Sequence, residues 1–138
     1  MPKEFDKTVY DRLSAVAAVT SLVGTRIFFA SVPQQTPFPY LILTRISTDP
    51  LVSASGVDTS GTENLTFQFD CLAQTYEGAK DLSDAVRTAL DTWSTSGGAV
   101  EVSPVIPVSE ADDMISPAGA DGRPIHRSRL DYSMWFSD

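Results

Sequence analysis

Leu65, Phe67, Phe69 and Cys71 alternate with Thr66, Gln68 and Asp70. Alternation of this kind marks a strand that buries one face and leaves the other to water. The segment 125–136 repeats it, with Leu130, Tyr132, Met134 and Phe136 on one face and Arg127, Arg129, Asp131 and Ser133 on the other. Two one-sided strands require a cover, and helical periodicity supplies it. Phe5, Val9, Leu13, Val16 and Val19 or Thr20 follow a three-to-four spacing, which predicts an amphipathic helix over 4–22 with Asp11 and Arg12 off its apolar stripe. A break is expected near Val19 and Thr20, and a stop at Gly24. Ala79, Leu82, Val86, Ala89, Leu90 and Trp93 trace a second stripe behind Thr75, a suitable N-cap. Glu77, Lys80, Asp84, Arg87 and Asp91 are expected to form an exposed ladder of alternating charge on this helix.

The stretch TPFPYLILTRIS (36–47) leads two prolines out of an irregular arm into a strand over Tyr40–Ser47, rich in residues that suit a pleated surface. Residues 26–29 (RIFF) form a short extended piece. Residues 100–108 read as a strand interrupted by Pro104 and Pro107, which implies an edge position or a break. The order of elements implies an α+β fold: a mainly antiparallel sheet of about four strands with two helices packed on one face. A long hairpin joins 40–47 to 64–73. The segments 49–63 and 110–124 read as long loops of a single domain, 1–138, and long loops in compact domains are usually functional or disordered.

Composition narrows the function. Of 138 residues, 42% are hydrophobic and 20% charged, an ordinary globular mixture. One cysteine allows no intrachain disulfide. The first residues carry no apolar signal core, and no apolar run approaches the ~20 residues that span a bilayer, so a soluble cytoplasmic product is expected. The net charge of −8 opposes tight nonspecific binding to nucleic acid. Glu101 to Asp121 holds five acids and no base, a solubilising surface or one past which DNA slides without sticking.

Cys71 and His126 are the thiol and imidazole that a small hydrolase would have to bring together. Cys71 continues an apolar strand face, however, where a free cysteine behaves as a small hydrophobe. Asp112 and Asp113 lack the spacing of a calcium loop, and the glycines of 55–61 and 119–122 form no phosphate cradle. The residues predict no catalytic, metal or cofactor site. The basic cluster of His126, Arg127 and Arg129 is expected to offset acids across the sheet. Arg45 shares a strand face with Leu41 and Leu43; its stem is expected to pack and its guanidinium to reach an acid, in this subunit or the next. Leu51, Val52, Val57, Met114 and Ile115 are apolar residues in polar loops. They either fold back on the domain or order against a neighbouring subunit. With Arg45 they are the candidate contacts to another subunit.

Several segments together resemble the tail-terminator or tail-completion proteins of long-tailed phages and of gene transfer agents. These are AVTSLVGTRIF (18–28), PFPYLILTRIS (37–47), LTFQFDCLAQTYEGAKDLSDAVRTAL (65–90) and RSRLDYSMWF (127–136). The resemblance implies a structural virion protein, not an enzyme. Its partners would be further copies of itself, closed into a hexameric ring, the tail tube protein and the head–tail connector protein. DNA would pass through the channel without specific binding, and no membrane is involved. It would be assembled in the bacterial host cytoplasm and reside at the head-proximal end of the tail. Another neck protein of the same particle, or the small hydrolase, is the alternative.

Overall fold

The computed structural model describes residues 4–33, 36–50, 52–53, 56–57, 63–91, 93, 101–115 and 124–137. The expected first helix is two: α1 (Glu4–Ala15) and α2 (Ala17–Val23). The break falls at Val16, earlier than Val19–Thr20, because Val16 leaves the helical region (φ −93°, ψ 117°) while its carbonyl accepts the first bond of α2 from Thr20. Gly24 ends α2 as expected. Its φ of 60° lies in the region that favours glycine, and its N–H donates to Thr20 O at 2.8 Å.

The chain continues as β1 (Ile27–Phe29), β2 (Tyr40–Pro50), β3 (Val52–Ser53), β4 (Gly56–Val57), β5 (Glu63–Ala73), α3 (Tyr76–Asp91), β6 (Glu101–Ile115) and β7 (Ile125–Ser137). The α+β class is as expected, but the main sheet has five strands in the order β1-β2-β5-β7-β6. The additional strand is RIFF: β1 joins β2 in parallel, with Ile27 opposite Leu41. The other neighbouring pairs are antiparallel, including the expected β2–β5 hairpin. The long loops are shorter than expected. Asp49 and Pro50 extend β2, Glu63 opens β5, and β3 and β4 form a separate ribbon within 49–63. Glu110–Ile115 also belong to β6 rather than to a loop.

The alternation that defines β5 and β7 becomes the core. Leu65, Phe67, Phe69 and Cys71 of β5 and Leu130, Tyr132, Met134 and Phe136 of β7 are all buried, as are Leu41 and Leu43 of β2. The helices cover this face. Phe5 of α1 stacks on Phe136 with centroids 4.9 Å apart, and Phe69 meets Tyr132 edge-on at 6.0 Å. Each such fully buried aromatic contributes about 1.5–3 kcal/mol of burial. The predicted stripe is buried throughout: Ala79, Leu82, Val86, Ala89 and Leu90 of α3, and Trp93 just beyond the helix. Thr75 caps the helix, its Oγ1 accepting from the Gly78 N–H at 3.0 Å.

Candidate functional site

The opposite face of the sheet has no helix over it among the described residues. Strand register places Thr44, Gln68, Asp131 and Ser109 in one row across it, and Ile42, Asp70, Arg129 and Ala111 in the next. This face is polar but largely self-paired. Arg129 Nε donates to Asp70 Oδ1 at 2.9 Å, and Ser109 Oγ to Asp131 Oδ2 at 3.0 Å. Arg127 Nε donates to Asp113 Oδ1 at 2.9 Å. That hydrogen bond is the main reason the Asp113 carboxyl lies below its usual range. Arg127 and Arg129 therefore offset acids across the sheet as expected, whereas His126, the third member of the cluster, meets the Tyr76 ring instead.

On the helical side, α3 and β6 are joined by charge. Lys80 Nζ reaches Glu110 Oε1 and Asp112 Oδ2, each at 3.1 Å, and Arg87 reaches Glu110 Oε2 at 3.1 Å. The expected charge ladder along α3 does not form in this way. Its two bases turn across to β6, and Asp91 accepts a 2.8 Å hydrogen bond from the Tyr132 hydroxyl. Burial, followed by this bond, raises the Tyr132 phenol above its ordinary pKa. Glu110, Asp112 and Asp113, the centre of the acidic stretch, are thus neutralised within the subunit. The outer face of α3 keeps Glu77, Asp81 and Asp84 exposed.

The candidate contact residues are dispersed. Arg45 finds its acid in its own chain: its Nε donates to Asp6 Oδ1 at 3.0 Å, and its guanidinium carbon lies 6.0 Å from the Phe67 ring centroid. Met114 is 60% exposed near the end of β6, and Ile115 pairs along the backbone with Ile125. Val52 pairs with Val57 in the β3–β4 ribbon, and Leu51 lies outside the described residues. Register puts the two apolar groups at opposite ends of the sheet. Pro50, Glu63, Phe136 and Val102 align at the ribbon end, whereas Tyr40, Leu72, Arg127 and Asp113 align at the Met114 end. The structure does not bring them together.

Sequence reasoning missed two exposed aliphatic residues created by backbone irregularity. Ile46 is 49% exposed at the register shift between Arg45 and Ser47, and Val108 is 60% exposed at the shift between Pro107 and Ser109. β-bulges re-aim side chains in this manner. Pro107 was the available signal for the second; nothing local marks the first. Beside Val108 a cleft of about 160 Å³ is lined by Arg87, Pro107, Glu110, Leu130 and Tyr132.

Cys71 is fully buried, and burial, reinforced by Asp70, pushes its thiol pKa up. A nucleophilic cysteine requires the reverse shift. His126 stands opposite Ala73 in the β5–β7 ladder, and its ring meets Tyr76 edge-on at 6.3 Å. Among the described residues no group of three or more His, Cys, Asp or Glu is placed to hold a metal ion, and no helix is long and apolar enough to cross a membrane.

Three packed helices, a five-stranded mixed sheet and a charge-clamped edge strand define a small α+β domain whose organisation is shared with a virion component. A chain in the virion of a native gene transfer agent particle has this fold, with a TM-score of 0.67 at 20% identity, covering 94% of this chain and 92% of that one. Residues 7–137 match the family of tail completion protein gp17, and the chain belongs to that family. The gp17 protein of bacteriophage SPP1 aligns at a TM-score of 0.49 and 19% identity, over 93% of this chain and 88% of that one. No curated protein sequence matches.

Proposed function

We propose that this protein is a structural, non-catalytic virion component that closes into a ring, six copies in number, at the head-proximal end of a tail tube. The ring ends tube polymerisation and presents a docking surface to the head connector. The observation that carries this reading is membership of the tail completion family over residues 7–137. The fold shared with a gene transfer agent virion chain supports it. Such a ring needs a heterologous interface, in which one surface of a subunit meets a different surface of the next. Exposed Ile46, Val108 and Met114, on different parts of the sheet, suit that requirement. DNA passes through the channel without specific binding, which the exposed Glu77, Asp81 and Asp84 on α3 favour.

Light scattering and negative-stain images of the purified protein test the ring, and gene deletion tests the role. Rings with a central channel, together with tails of uncontrolled length in the deletion, are the expected results. Tails of normal length that fail to join heads would instead make it a connector, and a strict monomer on tube ends would remove the ring.

A further inference from the structure

Strand β6 is unusual for an edge. It runs 15 residues, against the 5–6 of a typical strand, and pairs only with β7 among the described residues. A long free edge exposes a row of unpaired N–H and C=O groups to any extended chain, so edges are commonly interrupted by proline or bulges. Here the interruptions are confined to the first half. Both register shifts, Val102/Val105 and Pro107/Ser109, and both prolines precede residue 109. From Ser109 to Ile115 the ladder to β7 is continuous and proline-free, and residues 109–114 are exposed.

This open half is also held firmly in position. Lys80 and Arg87 grip Glu110 and Asp112 from the helical side, and Arg127 grips Asp113 from the other. A strand fixed from both faces loses little conformational freedom when a partner adds to it. Charge selects the partner. Glu77, Asp81 and Asp84 stand exposed on the adjoining helix, leaving the surroundings of the strand negative. The chain's own 49–63 arm carries Asp49, Asp58 and Glu63 with no base, so it is repelled. The other sheet edge, β1, has only 3 residues and cannot cover 109–115.

We infer that residues 109–115 of β6 accept, by strand addition, an extended lysine- or arginine-bearing segment of a different protein. Backbone hydrogen bonds would supply the affinity, and Glu77, Asp81 and Asp84, which are left over once Glu110, Asp112 and Asp113 are paired, the selectivity. The inference concerns the single subunit and does not depend on ring closure, so either can fail alone.

Hydrogen exchange on the full chain tests it. The probe is a synthetic peptide long enough to span 109–115, alternating valine or threonine with lysine; controls replace lysine by glutamate or place proline at alternate positions. The lysine peptide should slow exchange across 109–115 by about tenfold or more, and neither control should do so. Equal protection by the glutamate peptide, protection elsewhere or none would overturn the inference. Protection that rises with protein concentration alone would assign the edge to a second copy and also overturn it. Neighbouring residues of an edge strand point their N–H groups to opposite sides. Of A111P and D112P, one therefore removes an outward donor and spares the ladder to β7. The variant that keeps the parental melting temperature should lose protection by the lysine peptide; if it keeps that protection, strand addition is wrong.

Discussion

Arg45 on β2 and Asp6 on α1 tie the sheet to its helical cover, with Arg45 Nε 3.0 Å from Asp6 Oδ1. The pair is partly screened from water, its side chains being 20% and 33% exposed. A double-mutant cycle with R45M and D6N should give a coupling of about 1 kcal/mol in urea unfolding, between the exposed and buried extremes for ion pairs. Additive single losses would show that the bond contributes nothing beyond the packing of the arginine stem on Phe67.

Gly78 sits at the start of α3, where exchanging glycine for alanine ordinarily stabilises by about 0.5–1 kcal/mol. A Cβ there would meet Thr75 Oγ1 at 2.9 Å and Ala73 Cβ at 3.1 Å. Loss of the Thr75 cap costs about 1 kcal/mol. G78A should therefore leave the melting temperature equal or lower. In a T75A background the same change should be better tolerated. A clear rise for G78A alone would mean that the cap is not as described.

Removing the Tyr132 hydroxyl breaks its bond to Asp91. Y132F should lose about 1–2 kcal/mol, since the acceptor is charged. The same variant should remove the latest-ionising component from the near-ultraviolet tyrosine titration, because the Tyr132 phenol is raised by burial. An unchanged titration curve would contradict that assignment.

Asp113 contributes to acid stability in a predictable sense. Its folded-state pKa is lowered by Arg127, so the contribution is complete above the ordinary aspartate value of about 3.9 and is lost as pH falls through the lowered folded value. The stability difference between parent and D113N should thus be present at neutral pH and shrink at the acid end. A difference that grows on acidification would reverse the sign. Because the side chain is half exposed, the effect should also weaken with salt.

Cys71 should resist thiol reagents in the folded protein, with labelling limited by unfolding, as its burial and raised pKa require. C71A should leave assembly intact with a loss of about 1–2 kcal/mol. Rapid labelling of the native protein would show that this part of the core opens locally.

Much of the core was legible because it depends on period alone. Leu65 to Cys71, Leu130 to Phe136 and Ala79 to Trp93 announce their buried faces through neighbours two, three or four residues away. The edge position of β6 was likewise readable from its prolines. What escaped depends on groups distant in the chain. Glu110, Asp112 and Asp113 look like loop acids until Lys80, Arg87 and Arg127 are brought beside them. Arg12 lies off the apolar stripe, yet its Nε donates to Ala89 O at 2.9 Å, a bond between residues 77 positions apart. RIFF is too short to declare its alignment, and only the parallel register with β2 makes it a strand. For the candidate contacts, local chemistry marked Met114 as an apolar residue in polar surroundings but could reveal neither its exposure nor that the ribbon lies at the other end of the sheet.

The place of β7 between β5 and β6 has a bearing on the order of synthesis. β6 leaves the ribosome before β7 yet has no other strand to pair with among the described residues, and β5 likewise waits for one of its flanks. The sheet therefore cannot be completed from its first strand to its last as the chain emerges. It closes when β7 inserts, so a nascent or truncated chain lacking residues 125–137 leaves β6 unsupported. Synthesis of β7 thus becomes a condition for displaying the 109–115 edge.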